Sequence, residues 1–182
     1  WLFIMSTRPL PLAPRPFPEE AMGGWLGRIA SQYQIGVDEL QQLTDLDLGI
    51  APSHENWTAL PVLPLATIEP LACITRVSPE KLWIVNFNST GISPAQAYRY
   101  CYKCLIANRR DYSAPFWQAH WLRIEDKICF MHNEKYRMAR SSSFRLRPNF
   151  RRILNFVYGE DRVISQKAYR FGQSEKPVAI PL

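Results

Sequence analysis

The chain has 182 residues, of which 47% are hydrophobic, and this size suits one globular domain or two small ones. No apolar run approaches the roughly 18 residues of a membrane helix, and the N-terminus lacks a signal-peptide pattern, so a soluble cytoplasmic protein without structural disulfides is expected. The net charge of +6 is unevenly distributed, because residues 1–100 carry six basic and nine acidic side chains, whereas residues 101–182 carry sixteen and seven.

The N-terminal half predicts helices after a proline-rich lead at 9–18, which should be an extended connection. Residues 19–34 place apolar side chains at the spacing of one helix face: Met22, Trp25, Leu26, Ile29, Ala30 and Tyr33. Gly23 and Gly24 weaken that helix, unless they mark its start or a close packing contact. A turn at Ile35-Gly36 leads to a second helix over about 37–44. This outline fits a helix-turn-helix, and it also fits any helical hairpin.

A second helical pair is predicted further along the chain, with helices over about 67–75 and 79–87. Ser78 is a suitable N-cap, and Pro79 suits the first helical position. We expect the core to contain Leu71, Ile74, Leu82, Val85 and Phe87, and we expect Cys73 to be a buried free thiol.

The second helix of this pair is a poor candidate for reading DNA, because Lys81 is its only basic residue. It carries more apolar side chains than one core face can use. We therefore predict that Trp83 or Ile84 is at least half-exposed and contacts a protein partner.

Cysteine and histidine spacing predicts a structural zinc site. Cys101 and Cys104 are separated by two residues, as are Cys129 and His132, and two such turns can close a tetrahedral site with no open position. Large apolar residues lie between the two pairs and are expected to pack beside the metal: Phe116, Trp117, Trp121 and Ile128. The alternative is three ordinary buried cysteines and a surface histidine.

The C-terminal segment is rich in arginine and aromatic residues. No acidic residue interrupts the arginines of 137–152, namely Arg137, Arg140, Arg145, Arg147, Arg151 and Arg152. Arginine binds phosphate bidentately and aromatic rings stack on bases, so this segment indicates a nucleic-acid contact; the alternative is a solvated basic strip. A helix is expected after Arg152, with a turn at Gly159.

Enzymatic signatures are weak. The zinc-deaminase pattern is missing, as are the P-loop, G-x-S-x-G and H-E-x-x-H patterns. An HNH-like nuclease would need more His and Asn residues at the metal than the sequence offers. His120 is interpreted as a packed or hydrogen-bonding residue, and the protein is predicted not to be an enzyme.

Four strings together resemble the TniQ family of transposon proteins: WLGRIA, RYCYKCL, FWQAHW and ICFMHN. The resemblance covers about 17–135. It implies that Cys101, Cys104, Cys129 and His132 are zinc ligands. Tyr102 and Phe130 stand where the family usually has proline, and no cysteine follows Cys129, so the chain resembles a short member with a single zinc finger.

The resemblance also implies a function. Members of this family select target sites for transposition, and they link DNA or an RNA-guided CRISPR effector to a AAA+ ATPase that recruits the transposase. DNA, the ATPase, a CRISPR effector complex or its guide RNA, and a second copy of the chain are the implied partners. The alternative is a zinc-containing DNA-binding regulator with no role in transposition.

The expected architecture is mainly α. We divide it into a helix-turn-helix-like domain at 1–92, a zinc-binding domain at 93–140 and a basic C-terminal segment with a helix at 141–182.

Overall fold

The computed structural model describes residues 8–50, 56–107, 115–139, 149–160 and 162. Helices dominate this part of the chain, as predicted, and strands are few. The helices are α1 (Met22–Gln32), α2 (Val37–Thr44), α3 (Leu65–Thr75), α4 (Pro79–Asn88) and α5 (residues 150–160). None of the helices in the described ranges is long and apolar enough to cross a bilayer.

The proline-rich lead is extended, as expected, and it is tied to the helices by hydrogen bonds. The amide of Leu10 donates to the Ile74 carbonyl (2.8 Å), and the indole N–H of Trp25 donates to the Pro14 carbonyl (2.7 Å). Arg28 forms a buried ion pair with Glu20, with 2.6 Å between Nη2 and Oε2. These bonds satisfy polar groups that the lead would otherwise bury without partners.

Helix α1 lies at the centre of the molecule, and its glycines permit close packing. A Cβ on Gly23 would overlap the Trp57 carbonyl oxygen, and one on Gly24 would lie 2.7 Å from the Trp117 Cβ. Both glycines also fall in the first turn of α1. The close-packing and helix-start interpretations therefore both hold, and the predicted first helical pair is confirmed.

Helices α3 and α4 form the second predicted pair. Arg76 has a left-handed backbone (φ 55°) where α3 ends, and α4 begins at Pro79 as expected. The Asn86 side chain makes two hydrogen bonds with the backbone of Leu63. The Leu63 amide donates to Oδ1 of Asn86 (2.7 Å), and Nδ2 of Asn86 donates to the Leu63 carbonyl (2.9 Å).

Two core predictions for this pair are wrong. Phe87 is 73% exposed, because it lies four residues after Trp83 on the outer stripe of α4. Cys73 is exposed too, because it lies four residues after Glu69 on the outer stripe of α3, while Leu71, Ala72 and Ile74 face inward. The other predicted core residues are buried: Leu71, Ile74, Leu82 and Val85.

The region around the cysteines contains little regular structure. Strand β1 (Arg99–Tyr100) pairs antiparallel with β4 (Arg137–Met138), and β2 (Ile128–Cys129) pairs antiparallel with β3 (Glu134–Lys135). Short helical turns lie at Trp57–Ala59, Pro94–Gln96, Lys103–Ala107 and Ala119–Leu122. Each strand has only two residues.

Backbone hydrogen bonds join this region to the helices. The amide of Ala119 donates to the Glu19 carbonyl (2.9 Å), and the amide of Ala21 donates to the Trp117 carbonyl (2.8 Å). Four tryptophans are fully buried: Trp25, Trp57, Trp117 and Trp121. The predicted division at 92/93 is thus bridged by backbone contacts.

Helix α5 packs on α1 through its N-terminal residues. Asn149 caps the helix, since its Oδ1 accepts from the Arg152 amide (3.2 Å), and its Nδ2 donates to the Ile35 carbonyl (2.9 Å). Ile153 and Val157 are fully buried. The expected turn at Gly159 is wrong, because α5 continues through residue 160.

Candidate metal centre and basic surface

The first cysteine pair lies in the turn that follows β1. Cys101 is buried and Cys104 is partly buried. The amide of Leu105 donates to the Cys101 carbonyl (3.0 Å), which closes the turn and directs both thiols to one side.

The second pair lies in the turn between β2 and β3. The amide of Asn133 donates to the Cys129 carbonyl (2.7 Å), and Asn133 adopts a left-handed backbone (φ 50°) that asparagine tolerates better than most residues. The tight turn brings Cys129 and His132 to the same side of the hairpin.

The four side chains form one cluster, with all ligand atoms within 4.8 Å of one another. Nδ1 of His132 lies 3.6 Å from the Cys101 sulfur, 3.2 Å from that of Cys104 and 3.6 Å from that of Cys129. The sulfurs of Cys104 and Cys129 are 3.6 Å apart. Tetrahedral zinc bonds would separate sulfur from nitrogen by about 3.6 Å and sulfur from sulfur by about 3.8 Å. The cluster therefore fits a tetrahedral metal ion with His132 binding through Nδ1.

The environment of the first ligand pair disfavours its thiolate forms. Burial raises the pKa of Cys101 and of Cys104, and for Cys104 the neighbouring Cys101 raises it further. A bound divalent cation reverses this preference, because it stabilises the thiolates directly. The donor set of three sulfurs and one imidazole is soft, and it leaves no position open for substrate.

An exposed ion pair and a stacked arginine connect the two turns. Lys103 Nζ lies 2.7 Å from Glu134 Oε1, which joins the first turn to β3. The Arg137 guanidinium lies 4.0 Å from the centre of the Tyr102 ring, which joins the first turn to β4. Tyr102, one of the two residues that replace proline, thus has a packing role in this chain.

The aromatic residues between the ligand pairs pack in different places. The rings of Trp117 and Trp121 meet edge to face at 5.8 Å, and Trp117 also contacts Tyr100 at 6.0 Å. Phe116 instead stacks on Phe17 of the proline-rich lead at 4.4 Å, and Ile128 is 47% exposed. The two tryptophans therefore form the core of this region.

His120 is packed against aromatic rings, as its sequence context indicated. Its ring lies 4.8 Å from Phe130 and 6.1 Å from Trp121. Burial lowers its pKa to about 4, so the imidazole is neutral at physiological pH. A neutral, ring-packed histidine fits a structural role.

The predicted nucleic-acid contacts are only partly within the described residues. Arg151 and Arg152 are exposed on the first turn of α5, and Arg137 is exposed on β4. Arg140, Arg145 and Arg147 lie outside the described residues. The structure thus places two of the six arginines side by side and a third beside the metal cluster.

The outer stripe of α4 is exposed and apolar. Trp83 is 39% exposed and Ile84 is 53% exposed, which confirms the predicted exposure. With Phe87 they form a continuous stripe at positions i, i+1 and i+4, which we call the α4 stripe.

The seating of α5 on α1 was not predicted. The Oγ atom of Ser31 accepts a hydrogen bond from the Arg151 amide (3.0 Å) and donates one to Oδ1 of Asn149 (3.4 Å). Ser31 and Asn149 are 118 positions apart in the sequence. The available signal was Asn149 itself, since asparagine before an apolar-periodic segment is a common N-cap. No local signal identified Ser31 as its neighbour.

Comparison with known proteins gives one result. The family model described as TniQ matches residues 11–135. No curated protein and no solved structure matches the chain.

Proposed function

This chain belongs to the TniQ family, which associates it with transposition, and we propose that it acts as an adaptor or target-site selector. In this role it links a target, either DNA or an RNA-guided CRISPR effector with its guide RNA, to a AAA+ ATPase that regulates transposition. It performs no catalysis itself, and its contacts with DNA and the ATPase would occur in the cytoplasm.

Zinc is the proposed metal. Three sulfurs and one imidazole nitrogen at near-tetrahedral separations suit zinc better than the hard cations, which prefer oxygen ligands. With four protein ligands the ion would be structural, and it would hold the proposed domain at 93–140 in its fold.

The α4 stripe is the proposed protein contact. Exposed aromatic residues on a rigid helix are frequent anchors of protein interfaces, and this helix offers little to DNA because Lys81 is its only basic residue. The ATPase is the preferred occupant, and a second copy of the chain is the alternative.

The arginines are the proposed nucleic-acid contact. The basic half has a net charge of +9, with sixteen basic and seven acidic residues in 101–182, whereas residues 1–100 have a net charge of −3. A polyanion is attracted to the first and not to the second. The proposal therefore assigns protein binding to the helical half and nucleic-acid binding to the basic half.

The observation that carries the proposal is the family match over residues 11–135. Its test is co-purification of this protein with a AAA+ ATPase encoded beside its gene, in the presence and absence of DNA. We expect a complex that forms without DNA and that Trp83→Ala weakens. Binding to DNA with no affinity for any such ATPase would instead favour a DNA-binding regulator.

A further inference from the structure

A cleft with two adjoining compartments lies between α1 and α5. One compartment is an apolar cavity of about 210 Å³, and the other is a polar cavity of about 300 Å³. Ser31, Arg151 and Asn155 line both, so the two compartments adjoin at these residues, away from the metal cluster and the α4 stripe.

The apolar compartment can hold a flat ring. Phe150, Leu154 and Tyr158 of α5 form one wall, and Gln32 of α1 and Pro115 lie opposite. Phe150 is buried and Tyr158 is 45% exposed at the edge. An apolar cavity of about 150 Å³ binds benzene, so this compartment has room for a somewhat larger ring.

The polar compartment is suited to an anion. Arg151 and Arg152 line it, and the residues lining the two compartments, all within the described ranges, include no carboxylate. The third arginine of the cleft, Arg28, is neutralised by Glu20.

The anion must be held by side chains rather than by the end of α5. Ser31 Oγ accepts from the Arg151 amide, and Asn149 Oδ1 accepts from the Arg152 amide. Because these two amides are already used, the side chains of Arg151 and Arg152 are the groups that would bind the anion, and a guanidinium group is a planar fork that matches a phosphate.

We propose that this cleft binds one unpaired nucleotide of a single-stranded nucleic acid. The base enters the apolar compartment, and its phosphate contacts Arg151 and Arg152. The base must be unpaired, because a base stacked in a duplex cannot enter a cavity. The inference rests on the nucleic-acid contact of the proposed function and adds to it the site and the state of the ligand.

An acidic peptide with an aromatic side chain would offer similar chemistry. Nucleic acid is favoured because the apolar compartment and the two arginines are neighbours within one cleft. A base and its phosphate are likewise neighbours within one nucleotide. The surrounding half of the chain is also strongly basic, which attracts an extended polyanion over a greater length than a short acidic peptide offers.

The test compares a short single-stranded oligodeoxynucleotide of mixed sequence with an abasic strand of the same length. The unmodified protein should bind the intact strand at least about 5-fold more tightly, because stacking of one base contributes at least that much. Asn155→Trp and Gln32→Trp fill the cleft from opposite walls at exposed positions. Each should abolish the preference for the intact strand and leave the salt dependence unchanged.

Charge variants separate this inference from the function on which it rests. Replacing Arg151 and Arg152 with Ala should weaken the binding of both strands and reduce the salt slope by about 1.4. Arg162→Ala, at the far exposed end of the same segment, is the matched control and should retain the base preference.

Equal binding of both strands by the unmodified protein would overturn the inference, and so would a base preference that survives both filling variants. A third contrary result would be an acidic aromatic peptide that displaces the intact strand from the unmodified protein and no longer binds the Asn155→Trp variant. If the two arginine substitutions leave the binding of both strands unchanged, the proposed nucleic-acid contact at these residues fails as well.

Discussion

The helical half and the region around the cysteines are stabilised in different ways. Helices α1 to α4 have eight to eleven residues each and share a core of buried apolar side chains. The strands near the cysteines have two residues each, which is shorter than strands that are stable without other support. From this difference we predict that packing is sufficient for the first region, whereas the second, although its tryptophans join the same buried core, depends on its ligand cluster.

The largest effect is expected when a metal ligand is removed. Cys104→Ser should disrupt the fold around the cluster, because a structural zinc site contributes apparent binding energy on the order of 10–16 kcal/mol. Thermal unfolding and elemental analysis measure the result. Cys73→Ser is the matched control, since Cys73 is exposed and outside the cluster, and it should melt like the unmodified protein. Equal melting of the two variants would show that the cluster does not stabilise the fold.

A smaller effect is expected from overpacking the helical half. Gly23→Ala places a Cβ against the Trp57 carbonyl, and the required backbone shift should cost about 1–3 kcal/mol or more of unfolding free energy. Chemical denaturation measures this loss. Gly159→Ala, within α5 and with open space around the new Cβ, should instead stabilise by about 0.5–1 kcal/mol. Gly23→Ala that is as stable as Gly159→Ala would contradict the close contact.

The α4 stripe separates protein binding from stability. Trp83→Ala should weaken the complex with the protein partner by about 2 kcal/mol or more. Because Trp83 is 39% exposed, its truncation should not disturb the fold, and the affinity for DNA should stay within error. Leu82→Ala is the buried neighbour and should lose about 2–5 kcal/mol of stability in every assay. Affinity measurements with both variants decide the matter, and an unchanged partner affinity for Trp83→Ala would remove the stripe from the interface.

The smallest effect is expected in the salt dependence of duplex DNA binding. Each phosphate contact contributes about −0.9 to the slope, so changing Arg145, Arg147, Arg151 and Arg152 to Ala should flatten it by about 3 to 4. Titrations at several salt concentrations measure the slope. Loss of binding to one sequence with the slope intact would mean that these residues read bases, and unaffected binding would mean that they form a solvated face.

The helices and the ligand set could be predicted because their signals are local. Apolar spacing identified α1, and Ser78 with Pro79 fixed the start of α4. The two-residue spacing in each ligand pair indicated that Cys101, Cys104, Cys129 and His132 converge, and the structure brings them together.

The two errors in the predicted core arose where apolar character exceeded what one core face can bury. Phe87 and Cys73 are apolar enough for the interior, but their helical positions face outward, and composition alone does not reveal which stripe is covered. The cleft between α1 and α5 was missed for another reason. It depends on contacts between residues more than a hundred positions apart, such as Ser31 with Asn149, and no local pattern encodes such a pairing.

Hydrogen exchange of the metal-loaded and metal-free protein tests the central claim most directly. Removing the metal should abolish the protection of the hairpin formed by β2 and β3, which brackets Cys129 and His132, while helices α1 and α3 retain most of theirs. Simultaneous loss in the helices and the hairpin, or full protection of the hairpin without metal, would contradict the proposed difference between the two regions.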